Sequence, residues 1–230
     1  TAEFSPDGNS LLSTGRDGTA RLWQINRYSA PRLAGLEKDA NAVGLSSDGG
    51  LVAAAGDEGI LSIWQASGKP IKSWPANTRG RIFTLDFSMD GQHIATGGIA
   101  SGVTLWDLSG NVIAQLPSHG AFVNSIRFSS NGQFLATAGA DSLARLWTAE
   151  GKEIATLAGH EDVISVITFS PDSSIVATAD WNGHIKLWET SGKPIREWQG
   201  HDEQIRGLDF SSAGRRIATV DRAGNVRLWS

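Results

Sequence analysis

The 230-residue sequence contains no cysteine, which excludes disulfide frameworks, thiolate nucleophiles and zinc–thiolate sites. No apolar run approaches the roughly 18 residues that a transmembrane helix needs. Charged residues make up 19% of the chain and the formal net charge is −4. The surface as a whole therefore offers no general attraction to nucleic acid or to an anionic membrane.

Tryptophan and glycine, by contrast, are plentiful, with 9 and 27 copies. Six of the tryptophans recur at intervals of 41, 42, 41, 41 and 41 residues: Trp23, Trp64, Trp106, Trp147, Trp188 and Trp229. A fixed period of about 40–45 residues is typical of a β-propeller. The many glycines suit short strands joined by tight turns.

The repeat that contains Trp147 shows how each period folds. Residues 123–128 alternate between apolar and polar, and the short apolar run 134–138 follows a turn that contains Gly132. Residues 143–147 and 153–157 complete the pattern. We predict four antiparallel strands per repeat. No such sheet can bury both faces alone, so the sheets must pack against one another.

Several motifs recur together at this period. Gly159-His160 and Gly200-His201 stand 28 residues before Trp188 and Trp229, and Trp106-Asp107 forms a Trp-Asp pair. The whole chain resembles WD40 repeats, and its short, regular period resembles the WD repeats of bacterial, especially cyanobacterial, multidomain proteins. The resemblance implies an all-β β-propeller of four-stranded antiparallel blades.

We expect one WD40 propeller region over residues 1–230, with repeats at approximately 1–35, 36–77, 78–118, 119–159, 160–200 and 201–230. The last blade is expected to lack its outer strand. The chain is either a portion of a larger propeller or a six-blade ring. It begins inside a repeat without an initiator methionine, so we expect a piece of a longer protein or an engineered form.

The WD40 resemblance also implies a structural tetrad in each repeat, made of a histidine, a serine or threonine, an aspartate and the tryptophan. Repeat four carries all four residues. In repeats five and six we expect Asn182 and Ala223 to stand where the aspartate belongs. Leu36 takes the histidine position of repeat two, and Thr78 and Ala100 replace the histidine and aspartate of repeat three. Repeat one has Ser13, Asp17 and Trp23, but its histidine would precede Thr1. The expected tetrad residues are His119, Thr137, Asp141, Trp147, His160, Thr178, Trp188, His201, Thr219 and Trp229.

Residues next to the second turn of each repeat are expected at one end of the blades, where WD40 proteins often bind partners. Trp181 is unusual there, because the equivalent positions hold small, polar or charged residues in most repeats. Arg206 and Arg222 belong to the following repeat, and Arg16 would be adjacent if a ring closes. An aromatic side chain flanked by arginines is typical of a binding hot spot. A packing role for Trp181 is the alternative.

No catalytic motif, metal-ligand spacing or cofactor loop is found, and we expect no enzymatic activity, metal or cofactor. The predicted function is a protein-interaction scaffold or sensor that binds a protein or peptide on the propeller top face or channel mouth. We expect no nucleic-acid or membrane partner, a cytoplasmic location, and self-association if the ring is incomplete. A small-ligand or sugar-binding propeller and an excised or engineered repeat protein are the alternatives.

Overall fold

The structure is a computed structural model that describes residues 2–5, 8–15, 19–24, 32–33, 39–77, 80–100 and 102–230. Every helix or strand assigned among these residues is a β-strand. The strands form six antiparallel sheets, which we number one to six in chain order. Sheets one to three belong to a first compact unit, Thr1–Pro117, and sheets four to six to a second, Ser118–Ser230.

The first unit contains three four-stranded sheets. Sheet one consists of β1 (Ala2–Phe4), β2 (Ser10–Thr14), β3 (Ala20–Gln24) and β4 (Arg32–Leu33). Sheet two consists of β5 (Ala40–Leu45), β6 (Leu51–Gly56), β7 (Ile60–Gln65) and β8 (Pro70–Pro75). Sheet three consists of β9 (Ile82–Phe87), β10 (His93–Gly98), β11 (Val103–Asp107) and β12 (Val112–Leu116).

The second unit contains two four-stranded sheets and one three-stranded sheet. Sheet four consists of β13 (Val123–Phe128), β14 (Phe134–Gly139), β15 (Ala144–Thr148) and β16 (Glu153–Leu157). Sheet five consists of β17 (Ile164–Phe169), β18 (Ile175–Asp180), β19 (His184–Glu189) and β20 (Pro194–Gln199). Sheet six consists of β21 (Ile205–Phe210), β22 (Ile217–Asp221) and β23 (Val226–Trp229).

The hydrophobic core of each unit lies between successive sheets. Leu146 of sheet four, for example, packs in one cluster with Ile167 and Trp188 of sheet five, and all three are buried. Ile63 of sheet two shares a cluster with Trp106 of sheet three in the same way. The second strands of sheets two to five are buried on both faces, because their neighbours on either side are protein. This arrangement explains why single repeats cannot fold alone.

Turns between the first and second strands are closed by a recurring serine–aspartate contact. Ser170 Oγ donates to Asp172 Oδ1 at 2.6 Å and accepts the backbone N–H of Ile175 at 2.9 Å. The hydrogen bond from Ser170 also holds the pKa of Asp172 below its usual value. Ser88 and Asp90 repeat the contact in sheet three, where Gly91 supplies the positive φ of 66° that the turn requires.

The predicted fold class is confirmed: the protein is all-β, with six sheets of mostly four antiparallel strands, consistent with WD40 propeller blades. Sheet six has three strands among the described residues, as the sequence predicts. Each sheet lies inside one of the six predicted repeats. The irregular stretch between Arg27 and Glu37 falls outside the described residues except for β4.

Candidate partner-binding site

A chain of buried hydrogen bonds supports the loops at one end of sheet four. Trp147 Nε1 donates to Thr137 Oγ1 at 3.0 Å. Thr137 Oγ1 lies 2.9 Å from His119 Nε2, and His119 Nδ1 lies 2.8 Å from Asp141 Oδ1. The structure thus brings together the four residues predicted for this repeat. Arg145 adds an ion pair to Asp141 at 2.7 Å.

An indole N–H only donates, so Thr137 Oγ1 must accept from Trp147. A neutral His119 with its proton on Nδ1 completes the chain, because Nε2 then accepts from the Thr137 hydroxyl and Nδ1 donates to the Asp141 carboxylate. Every polar atom in the chain has a partner, which is what burial of these groups requires.

Sheets five and six contain the same chain of hydrogen bonds, with an aspartate that the sequence analysis missed. In sheet five, His160 contacts Thr178 at 2.7 Å and Asp180 at 2.7 Å. In sheet six, His201 contacts Thr219 at 2.7 Å and Asp221 at 3.0 Å. Trp188 and Trp229 donate to the two threonines at 3.0 and 2.9 Å.

The expectation that Asn182 and Ala223 replace the aspartate is therefore wrong. Asp180 and Asp221 stand two residues after the threonine, whereas Asp141 stands four residues after it, beyond Gly139. Side chains two residues apart on a strand share a face. The signal that could have identified both carboxylates is an aspartate two residues after a threonine at the end of the second strand.

The pKa values of these groups reflect their mutual contacts. Burial is the largest single influence on the pKa values of Asp141 and Asp180, and it opposes ionisation. The hydrogen bonds and charge interactions from His119 and Arg145 at Asp141, and from His160 and His184 at Asp180, together outweigh it, so both pKa values lie below the usual one. The hydrogen bond from the Asn225 side chain is the main reason that the pKa of Asp221 falls to about 2. Burial lowers the pKa of His119.

The described residues of the first unit keep only part of this network. Trp23 donates to Ser13 Oγ at 2.7 Å and Trp106 to Thr96 Oγ1 at 2.9 Å, while Ala54 occupies the threonine position of sheet two. The buried Asn77 donates to the backbone oxygen of Ile99 at 3.0 Å. Other predicted positions of these repeats lie outside the described residues: Asp17, Leu36 and Thr78.

Trp181 lies in the turn that follows β18, directly after Asp180. Its side chain is 40% exposed, and its ring stacks on Phe122 of sheet four at a centroid distance of 6.3 Å. The Trp181 backbone N–H donates to Val163 O at 3.0 Å, which fixes the turn against the loop that enters sheet five. The aromatic partner of Trp181 is thus Phe122, a residue that the sequence pattern did not indicate.

Arg206 of β21 and Arg222 of the turn after β22 are both exposed, and neither forms an ion pair with a residue that the structure describes. No guanidinium lies over the Trp181 ring within the described part of the chain. The residues that match Arg206 in the two preceding sheets have a different role: Asn124 donates to Ile164 O at 3.0 Å, and Ser165 donates to Ile205 O at 2.5 Å. Arg16 lies outside the described residues.

The described residues hold no group of three or more His, Cys, Asp or Glu side chains arranged to bind a metal ion. They also include no helix with the length and hydrophobicity needed to cross a bilayer. The acidic side chains near the histidines, including Asp141 and Asp180, are engaged by the hydrogen bonds described above.

Comparison with known proteins identifies the family. The family described as WD40, WD domain, G-beta repeat, matches residues 1–24, 68–107, 110–148, 151–189 and 192–230. Because these segments cover most of the chain, the protein belongs to the WD40 repeat family. WD40 domains are generally non-catalytic and generally bind proteins. Residues 25–67 fall outside the match, although three strands of sheet two, β5, β6 and β7, form there.

Individual relatives are distant. The chain is 28% identical over 134 residues to the F-box-like/WD repeat-containing protein TBL1X of Mus musculus. This aligned region covers 51% of this chain and 25% of that protein. It is 33% identical over 84 residues to transducin beta-like protein 3 of Rattus norvegicus, covering 31% of this chain and 10% of that protein. The chain therefore spans a quarter or less of the length of these relatives.

Asp180 and Asn182 provide a direct test of which side chain accepts from His160. We predict that Asp180→Ala lowers the free energy of unfolding by about 1–3 kcal/mol, because the buried N–H of His160 loses its acceptor. Asn182→Ala removes an exposed side chain and is expected to cost less than about 0.5 kcal/mol. Urea unfolding of both variants measures the difference. A larger cost for Asn182→Ala than for Asp180→Ala would contradict the assignment of Asp180.

His119 makes stability depend on pH. Its pKa in the folded protein lies below the ordinary 6.5, so the unfolded chain binds a proton at higher pH than the folded chain does. Stability must therefore fall as pH is lowered through 6.5 toward the folded pKa. We predict a lower melting temperature at pH 5.5 than at pH 7. In His119→Gln the melting temperature should depend less on pH. His93→Gln serves as control, because His93 lies outside the network; an unaltered dependence in His119→Gln would contradict the prediction.

Proposed function

We propose that this WD40 domain is a non-enzymatic protein-interaction scaffold or sensor. Its partner binds to the loops at the end of sheets four to six that carries Trp181. The observation that carries the proposal is the exposed indole of Trp181, held in place by Phe122 on one side and by a backbone hydrogen bond to Val163. A large aromatic side chain that is exposed and already ordered loses little entropy on binding.

The surroundings of Trp181 support this choice of surface. Arg206 and Arg222 lie on the following sheet, at the same end, with exposed guanidinium groups that no described carboxylate engages. Tryptophan and arginine are the residue types most enriched in binding hot spots. The two arginines would bind an anionic group of a protein or peptide partner while its apolar residue covers Trp181.

The hydrogen-bond networks explain how such a surface stays rigid. The turn that bears Trp181 begins at Asp180, which is buried and accepts hydrogen bonds from His160 and from the backbone of Asn182 and His184. Displacing this turn would require breaking these contacts. A binding surface held in this way is pre-organised, which favours affinity.

A small-ligand or sugar-binding propeller is a weaker candidate. Such a function would need the same aromatic and polar residues in every repeat, yet the positions equivalent to Trp181 hold Asp57, Ile99, Ala140 and Arg222.

We also propose a cytoplasmic location. The bacterial resemblance of the repeats stays a prediction, since the relatives described above are mammalian.

A peptide-display library selected on the immobilised chain would supply a ligand with which to test the surface. We predict that Trp181→Ala weakens binding of the selected peptide at least tenfold, and that Arg206→Ala weakens it severalfold. Met89→Ala is the matched control. Met89 is also exposed, but it lies in the turn between the first and second strands of its sheet, whereas Trp181 lies in the turn between the second and third. Unchanged affinity of Trp181→Ala and Arg206→Ala, with melting temperatures intact, would contradict the proposed surface.

A further inference from the structure

One position on the third strand distinguishes sheet three from the sheets of the second unit. In sheets four, five and six the residue paired with the tetrad threonine is basic: Arg145, Lys186 and Arg227. In sheet three the residue paired with Thr96 is Thr104, whose side chain is short and uncharged. The surroundings of Thr104 therefore differ from those of the three basic residues.

The basic side chains of the second unit cover the segment that carries the tetrad histidine. Arg227 donates to the backbone oxygen of Gly200 at 2.7 Å. Lys186 Nζ lies so close to Gly159 that a Cβ atom there would stand 3.2 Å from it. The Arg145 and Lys186 side chains are each only 14% exposed. Each glycine immediately precedes a tetrad histidine, so the long side chains lie against the same part of each repeat.

Backbone hydrogen bonds identify the matching segment of sheet three. The N–H groups of Gly200 and His201 both donate to one carbonyl oxygen of the turn after β18, at 2.8 and 3.1 Å. In the same way, Ala76 and Asn77 both donate at 2.8 Å to one carbonyl oxygen of the turn after β6. Asn77, and not Thr78, therefore takes the backbone place of the tetrad histidine in sheet three.

A cavity of about 470 Å³ lies at this place in sheet three. Trp106 belongs to the face of sheet three that packs on sheet two. Thr104 lies two residues before Trp106 and pairs with Gln115, so all three side chains share that face and line the cavity. The segment after β8 and the turn after β10 complete the lining with Ala76, Asn77 and Ala100. Ligand pockets typically measure about 300–1,000 Å³.

The described lining residues offer hydrogen-bond acceptors and carry no charge. The carbonyl oxygen of Ala76 is the counterpart of Gly200 O, which accepts from Arg227 in sheet six. The Thr104 hydroxyl and the side-chain oxygen of Gln115 can also accept. These acceptors suit a ligand with several N–H donors, which is the chemistry that the chain itself places here in sheets four and six.

We propose that this cavity binds the guanidinium group of an arginine from a basic segment of a partner protein. The guanidinium takes the position that Arg145 holds in sheet four and donates to the Ala76 carbonyl and to Gln115, while its stem packs against Trp106. A guanidinium suits this lining better than an ammonium group, because it is planar, more weakly hydrated and able to stack on an aromatic ring. The formal net charge of −4 favours a basic segment.

This site goes beyond the proposed surface around Trp181. The cavity belongs to the first unit, whereas Trp181 belongs to the second. The two surfaces also differ in the charge that they select, since exposed arginines accompany Trp181 and neutral acceptors line the cavity. Each proposal can therefore fail without the other.

N-acetyl-arginine amide is a suitable probe, because it presents the guanidinium and its stem alone. We expect a saturable shift of the Trp106 indole N–H signal in nitrogen–proton correlation spectra, assigned with Trp106→Phe, and a dissociation constant of about 1–10 mM. N-acetyl-citrulline amide has nearly the same shape without the charge. It should bind about 3- to 10-fold more weakly, because charge-assisted hydrogen bonds are stronger. Equal affinity for the two probes would overturn the proposal.

Thr104→Arg supplies a guanidinium from the chain itself, as Arg145 does in sheet four. In the folded variant the arginine probe should bind at least tenfold more weakly, because the introduced side chain occupies the cavity. Thr104→Val is the matched control, since it keeps the size of the side chain, and its affinity should change by no more than about threefold. Trp181→Ala should leave the affinity unchanged.

Two further outcomes decide the source of the arginine. Thr78, Arg79 and Ser101 lie outside the described residues, and Arg79 is the arginine among them. A saturable shift in the wild-type chain supports a partner's arginine as the ligand. A shift that appears only in Arg79→Ala would contradict a partner as the source. Unaltered affinity in folded Thr104→Arg, or no saturable shift in any variant, would overturn the site itself.

Discussion

A buried imidazole with both nitrogens satisfied is the constraint on which the second unit depends. In sheets four to six the histidine joins the loop before the first strand to the second strand through threonine. It also contacts an aspartate, which ends the second strand in sheets five and six and lies in the following turn in sheet four. The tryptophan of the third strand closes the network through the same threonine. Because an unpaired buried donor or acceptor is costly, these contacts form together or fail together. They hold the turn that presents Trp181.

Much of this could be predicted from the sequence, because the tryptophan period defines the register of each strand. Counting back from Trp188 and Trp229 finds His160, His201 and the threonines, since strand and turn lengths repeat. The same counting failed for Asp180 and Asp221, because the carboxylate reaches the histidine from two different backbone positions. Alternation along the strand, and not distance from the tryptophan, determines which side chain faces the imidazole.

Contacts between sheets were harder to predict. Phe122 is a loop residue of sheet four, and nothing in its own repeat indicates that it stacks on Trp181 of sheet five. Asn124 and Ser165 share their position with Arg206, yet their polar atoms bond to the backbone of the next sheet. Such contacts depend on how neighbouring sheets twist and pack, which repeat spacing alone does not specify.

We expect the histidine networks to make the second unit locally more stable than the first, whose described residues form only part of such a network. Native-state hydrogen exchange measures this directly, because it reports the free energy of opening for each strand. We expect the amides of β14, β18 and β22 to exchange more slowly than those of β2, β6 and β10. Equal protection of the two sets of second strands would contradict the account.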